Sequence, residues 1–294
     1  VVDAAALAEL EGAVRTALEV GDDRGLCVLG YGEITLVLGT PVESPRWAAK
    51  RLPTFVGQDQ ADAYAEQFHR YLELLADRGV APLPSTLHTT AGEQASVVAY
   101  VVQPVLARAS LAPEQLRTTP PDADHPILAT ICRSVVAVVD DRTGLDGQLS
   151  NWATDADGEL VYLDVTTPML FDELGQPELD LDLFLAAYPW LLRPPIRRFV
   201  APGVIGAYRD PRHVLLDLSA NLLKERLEPW LPAAVEAANR HVDPPLTLDE
   251  VHRYYRSDAR LWEAMLRLRR ADRWWQRNVR RRPYPFLLPG PVRR

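Results

Sequence analysis

Gly144-Leu145-Asp146-Gly147-Gln148-Leu149-Ser150-Asn151-Trp152, followed by Leu160-Val161-Tyr162-Leu163-Asp164-Val165-Thr166, is the stretch on which the reading of this chain turns. It sets an Asp and an Asn five residues apart in a Gly-containing loop, with a second Asp at the end of a short apolar strand. Such a set can take a proton from a hydroxyl and hold magnesium beside a nucleotide triphosphate. Asp146 is the candidate base, and Asn151 and Asp164 are the candidate metal ligands. Taken singly, Asp146 and Asn151 are also ordinary turn residues, and Asp164 an ordinary hairpin end. What precedes them in the chain decides between the two readings.

Upstream lies Leu29-Gly30-Tyr31-Gly32-Glu33-Ile34-Thr35-Leu36-Val37-Leu38. Gly30 and Gly32 lack a Cβ, so backbone there can approach a phosphate closely. A dinucleotide-binding crossing needs strand, glycines and then a helix N-terminus. Here the glycines lead into a β-branched alternating run, so the geometry is strand, turn, strand: a lid or a plain hairpin. Lys50 ends the strand-like run Trp47-Ala48-Ala49-Lys50 and can reach back towards phosphates. Only Lys50 and Lys224 are lysines, while the other 30 basic side chains are arginines. A retained lysine in so Arg-rich a chain points to a need for a compact point charge. On the following helix Glu66 is the first choice of partner for Lys50 and Glu73 its rival; one lysine reaches only one of them, ~10 Å apart along the axis.

The pattern predicts a helix over 2–20, strands over 25–30, 34–38 and 46–52, a helix over 58–78, and strands over 82–88 and 95–102. Gln103-Pro104 then marks a joint. A helix is expected over 125–140, then the Asp146 loop, then a hairpin turning at 155–158 with 159–165 as its second strand. The remainder reads as helices with Pro-rich joints. The expected fold class is α+β with two lobes, 1–103 and 104–294.

Bulk properties narrow the class further. With 294 residues and 47% hydrophobic content the chain can bury a sizeable core. Cys27 and Cys132 form no metal or redox motif and suit a reducing compartment. The first residues read as an amphipathic helix rather than a signal segment, and no run approaches eighteen apolar residues, so a cytoplasmic protein without membrane contact is expected. From residue 251 onward 13 Arg stand against Asp258, Glu263 and Asp272, a net of +10 that leaves −18 for residues 1–250. That basic, Trp-rich segment either packs on the acidic body or meets an anionic or protein partner. Nucleic acid is disfavoured, because the rest of the molecule repels phosphates.

With the lid, Lys50, Glu66 and the Asp146–Asn151–Asp164 set in this order, residues 25–167 resemble the protein-kinase-like superfamily, most closely in style its aminoglycoside-phosphotransferase and small-molecule-kinase branch. Thr35 stands where the third lid glycine is expected, Gly144 and Leu145 where His and Arg precede the catalytic Asp, and Val165-Thr166 where Phe-Gly follows the metal-binding Asp. Ala112-Pro113-Glu114 precedes the catalytic loop and so closes no activation segment. The resemblance implies a bilobal protein-kinase-like fold, with a small antiparallel sheet and one long helix in the first lobe and a mostly helical second lobe. It also implies ATP and Mg2+ as cofactors and transfer of a phosphoryl group to a hydroxyl of a small molecule or biosynthetic peptide. Asp146 would be catalytic. Gly30, Gly32, Lys50, Glu66 and Gln103 would bind the nucleotide, with the backbone of 100–103 lining the adenine slot. Asp172, Glu173, Glu178, Asp180 and Asp182 are candidates for holding a cationic acceptor. The departures from the pattern motivate an alternative, a pseudokinase-type nucleotide-binding or scaffolding module without phosphoryl transfer.

Overall fold

The computed structural model describes residues 2–32, 35–93, 95–186, 188–189, 193–282, 284 and 286–287. Glu33 and Ile34 of the glycine-rich run therefore lie outside the described residues. Helix α1 (Ala4–Val20) starts at Asp3, whose carboxylate caps the Ala6 N–H, and ends at Gly21 in the left-handed region. Strands β1 (Val28–Tyr31), β2 (Leu36–Thr40) and β3 (Trp47–Arg51) follow, then helix α2 (Gln58–Asp77) and strands β4 (Thr86–Ala91) and β5 (Val97–Pro104). All five strands join one antiparallel sheet in the order β1-β2-β3-β5-β4.

Strand periodicity splits this sheet into two faces. Leu36, Leu38, Ala49, Val98, Tyr100 and Val102 pack against Leu7, Leu10, Val14 and Ala17 of α1. Leu52, Val97, Ala99 and Val101 face the other way, into a core shared with α2 and with the second half of the chain. Arg51, one residue past Lys50, points to the α1 side. There its guanidinium grips Glu11 twice, Nε to Oε2 at 2.8 Å and Nη2 to Oε1 at 2.9 Å, and the Tyr100 hydroxyl adds a bond to Oε2 at 2.5 Å. Glu11 is only 3% exposed, a buried charge tolerable because all its partners are present.

The second half is mainly helical: α3 (Ala112–Arg117), α4 (Pro126–Val138), the hairpin β6 (Trp152–Thr154) and β7 (Leu160–Tyr162), the short helices α5 (Leu181–Leu185), α6 (Arg193–Pro195) and α7 (Ala201–Ala207), then α8 (Pro211–Lys224), α9 (Leu231–Asn239) and the long α10 (Leu248–Asn278). Several prolines flagged as joints open helices. Pro211 and Pro232 sit in the first positions of α8 and α9, where a missing N–H costs nothing.

Two boundaries next to the site differ from the expectation. The strand expected over 82–88 begins only at Thr86, because the backbone before it pairs with β7: Tyr162 N–H donates to Ala81 O and Leu83 N–H to Tyr162 O, both at 2.8 Å. The hairpin's second strand, expected to reach 165, stops at Tyr162. Among the described residues no helix is long and apolar enough to cross a membrane.

Candidate functional site

Residue 50 lies mid-sheet. Gly30 pairs with Val37, Val37 with Lys50, and Lys50 with Val101, so one row crosses four strands. At ~4.8 Å per strand, Gly30 stands about 10 Å from Lys50 across the sheet. The Lys50 side chain leaves on the α2 side, and its Nζ donates to the Leu163 carbonyl at 2.6 Å. Gln103, on the same face of β5, donates Nε2 to that same carbonyl at 2.9 Å and to Ser85 Oγ at 2.9 Å. The peptide unit just before Asp164 is thus the point where the sheet meets the hairpin, which is why β7 ends at Tyr162.

The expectation for Gln103 and its neighbours needs correction on one point. The backbone of 100–103 is in register with β3, and Tyr100 belongs to the α1 face, so this segment does not offer a free hydrogen-bonding edge. The glutamine acts through its side chain instead.

Glu66 is also corrected. Helix α2 buries Ala61, Tyr64, Phe68, Tyr71 and Leu75, a stripe at i, i+3 and i+4 spacing. Residue 66 falls about 180° from that stripe and is exposed, as is Glu73. Among the described residues neither glutamate forms an ion pair with Lys50. What α2 brings to the site is a pair of tyrosines two turns apart. Tyr64 OH donates to Thr166 O at 2.9 Å and Tyr71 OH to Gly144 O at 3.0 Å, carbonyls two residues after Asp164 and two before Asp146. Sequence reasoning missed both, although a Tyr-x6-Tyr spacing flanking an inward Phe was there to be read.

The Asp146 loop is fixed by close packing. A Cβ on Gly144 would come within 2.9 Å of the Tyr208 carbonyl, and one on Gly147 within 2.8 Å of Val214. There is no room for a larger side chain at 144. Leu145 is fully buried in the core. Asn151 donates Nδ2 to the Asp146 carbonyl at 3.3 Å, and its own carbonyl accepts from Leu163 N–H at 2.8 Å, which ties the loop to the strand bearing Asp164. The Thr166 hydroxyl donates to Asp164 Oδ1 at 2.8 Å.

A further carboxylate joins from α8. Asp217 Oδ2 accepts from Gln148 Nε2 at 2.8 Å and its Oδ1 from the Tyr254 hydroxyl of α10 at 3.0 Å, while the Gln148 backbone N–H donates to Asp146 Oδ1 at 3.1 Å. Gln148 thus bridges the two aspartates. Asp217 and Tyr254 carry no local motif that could have announced them.

The electrostatics follow from this convergence. Burial, then the charges of Asp217 and Asp164, raise the Asp146 carboxyl to about 7, against the pull of bonds from Gln148 and Asn151. Burial likewise raises Asp217, opposed by its bonds from Gln148 and Tyr254. Lys50 is held below the usual lysine range by burial, which the Asp164 charge opposes. Burial thus acts first on all three groups, raising the proton affinity of the two aspartates and lowering that of the lysine.

Four of the five acids after the hairpin are engaged within the fold. Asp172 Oδ1 accepts from Leu174 and Gln176 N–H in a tight turn, Glu178 pairs with Arg70, Asp180 accepts from Gln60, and Asp182 pairs with Arg197. Among the described residues no three His, Cys, Asp or Glu side chains are grouped so as to hold a metal ion by themselves.

A family model matches residues 9–273. The chain belongs to a family of unknown function, DUF6206. No curated protein matches it. The matched span takes in every residue of the site, from the glycines of β1–β2 to Tyr254 on α10.

Proposed function

We propose that this protein is an ATP- and magnesium-dependent phosphotransferase of bilobal, protein-kinase-like design, acting on a hydroxyl of a small molecule or peptide. The observation that carries the reading is the junction at Leu163. There Lys50 and Gln103 of the sheet meet the residue before Asp164, and Asn151 ties the Asp146 loop to the same strand. The glycine hairpin lies in the same row as Lys50. The five-stranded antiparallel sheet with helices α1 and α2, followed by a mainly helical half, supports this reading at the level of α+β architecture.

The donor set fits magnesium in one specific way. Asp164 offers a carboxylate, and Asn151, with its Nδ2 held by the Asp146 carbonyl, offers its amide oxygen. These are hard oxygens, too few to hold the ion alone and sufficient when phosphate oxygens and water complete the shell. Bound there, magnesium would neutralise charge on the nucleotide phosphates. In this reading Lys50 binds phosphate as a point charge. Asp146, with a proton affinity near neutrality, accepts the acceptor hydroxyl's proton, the range in which a general base works best. Tyr64 and Tyr71 hold the backbone on either side of the two aspartates.

The alternative, nucleotide binding or scaffolding without transfer, draws on Glu66, which stands away from Lys50, and on the Thr166 hydroxyl that occupies one oxygen of Asp164. Thermal unfolding with ligands tests the proposal. At ~100 times its dissociation constant Mg-ATP should stabilise the fold by about 2.7 kcal/mol. Magnesium alone should do nothing, and Asp164→Asn should remove the magnesium dependence while leaving the ATP effect. A wild-type protein that no nucleotide stabilises would sink the first reading and the nucleotide-binding form of the second, leaving scaffolding alone. Stabilisation without turnover across hydroxyl acceptors would favour the second.

A further inference from the structure

We propose that Thr166 is a positioning residue: its hydroxyl aims the Asp164 carboxylate at the place a divalent cation would take, and Tyr64 of α2 holds Thr166 where it can do so. The inference rests on the magnesium reading above and names what orients the carboxylate ligand. The Thr166 hydroxyl donates to Asp164 Oδ1 at 2.8 Å, and the Tyr64 hydroxyl donates to the Thr166 carbonyl at 2.9 Å. Both residues are buried, at 4% and 3% exposure. Two hydrogen bonds in series therefore run from α2 to the candidate metal ligand, the first of them joining residues 102 apart in sequence.

The backbone on either side of Asp164 is fixed. Before it, the Leu163 carbonyl accepts from Lys50 Nζ at 2.6 Å, from Gln103 Nε2 at 2.9 Å and from the Val165 N–H at 3.2 Å, while the Leu163 N–H donates to the Asn151 carbonyl at 2.8 Å. After it, Val165 is fully buried in the core and Thr166 is tied to Tyr64. A threonine is β-branched and stiff at its first side-chain torsion, so its hydroxyl direction follows from this backbone. What is left to choose is the rotamer of Asp164, and the hydroxyl chooses it.

Threonine hydroxyls commonly bond back to nearby main-chain groups. This one goes to a carboxylate, and a hydrogen bond with one ionised partner is roughly twice as strong as a neutral one. A carboxylate has two oxygens and about four lone-pair directions. The hydroxyl uses one of them, on Oδ1, so the bond orients the group without spending its capacity for a cation. Asn151 is preset in the same manner, since its Nδ2 donates to the Asp146 carbonyl at 3.3 Å and fixes which way the amide oxygen points. Hydrogen bonds that orient a ligating carboxylate matter measurably, and removing one typically costs about 10–100-fold in metal affinity.

The test titrates free Mg2+ at a fixed, saturating ATP concentration and reads the melting temperature. Thr166→Val keeps the shape and removes the hydroxyl; it should raise the Mg2+ concentration for half the effect about 10-fold or more while leaving stabilisation by ATP without magnesium unchanged. Thr166→Ser keeps the hydroxyl and should stay within about 3-fold of wild type. Tyr64→Phe should move the midpoint in the same direction as Thr166→Val, by a smaller factor. A wild-type protein whose response to ATP ignores magnesium overturns the magnesium reading and this inference with it. A magnesium-dependent wild type that Thr166→Val matches in midpoint overturns the inference alone. So does a Thr166→Ser protein as impaired as Thr166→Val, which would assign the effect to the methyl group. Should Thr166→Val fail to fold, Tyr64→Phe decides, and an unmoved midpoint there overturns the inference.

Discussion

Replacing Asp146 with Asn removes a negative charge from beside Asp217 and Asp164 while keeping an oxygen for the Gln148 N–H. Burial and those two carboxylates hold Asp146 at about 7 in the folded state, against about 3.9 in the unfolded chain. The folded protein therefore binds a proton that the unfolded chain has released across that interval. Stability from this group is fully present below about pH 4, declines by about 1.4 kcal/mol per pH unit between pH 4 and pH 7, and is gone above. The ceiling of the difference is about 4 kcal/mol, roughly three pH units at 1.36 kcal/mol each. Because Asp217 shares in the same titration, about 2 kcal/mol is the expected yield for Asp146→Asn at pH 8. Urea unfolding of wild type and variant at pH 4, 6 and 8 measures it. The curves should nearly coincide at pH 4 and separate with rising pH, the variant becoming the more stable. If it catalyses phosphoryl transfer, the variant should also lose at least ~10²-fold in rate, a gain in stability coupled to a loss of function. Equal stability of the two proteins at pH 8 would refute the reasoning, since it would mean that the carboxylate is solvated and carries no electrostatic strain.

Two other substitutions separate the faces of the sheet and of α2. Glu11→Ala leaves the Arg51 guanidinium buried against α1 without its partner and should destabilise the fold by about 3–5 kcal/mol in chemical denaturation. A cost under about 1 kcal/mol would show that water reaches Arg51. Glu66→Gln, on the exposed side of α2, should change stability by less than about 0.5 kcal/mol and leave Mg-ATP stabilisation intact. A loss of nucleotide response would mean that α2 turns Glu66 inward when ligand binds.

The lysine and the two-aspartate loop were legible because their signals are local. A single Lys ending an alternating run in an Arg-rich chain, and polar residues spaced within one loop and one hairpin, need no knowledge of what packs on them. The sheet was legible for the same reason, since β-branched alternation and glycine punctuation fix strands and turns within a few residues. Glu66 failed because the face of a helix depends on what it packs against. A stripe drawn through the apolar Ala61, Ala65, Phe68, Leu72 and Leu75 lies about 40° from the buried face of α2. Tyr64 and Tyr71 were passed over, although buried tyrosines whose hydroxyls reach carbonyls are inner residues.

By itself the sequence determined the α+β class, the order of the elements, and which residue types could bear chemistry, because periodicity, turn residues and short spacings are properties of neighbours along the chain. Tertiary structure alone decided that Lys50 and Gln103 share the Leu163 carbonyl and that Gln148 joins Asp146 to Asp217, with Tyr254 behind it. Each of these joins segments far apart in sequence. Their meeting is set by which surfaces bury each other, and no local pattern encodes that.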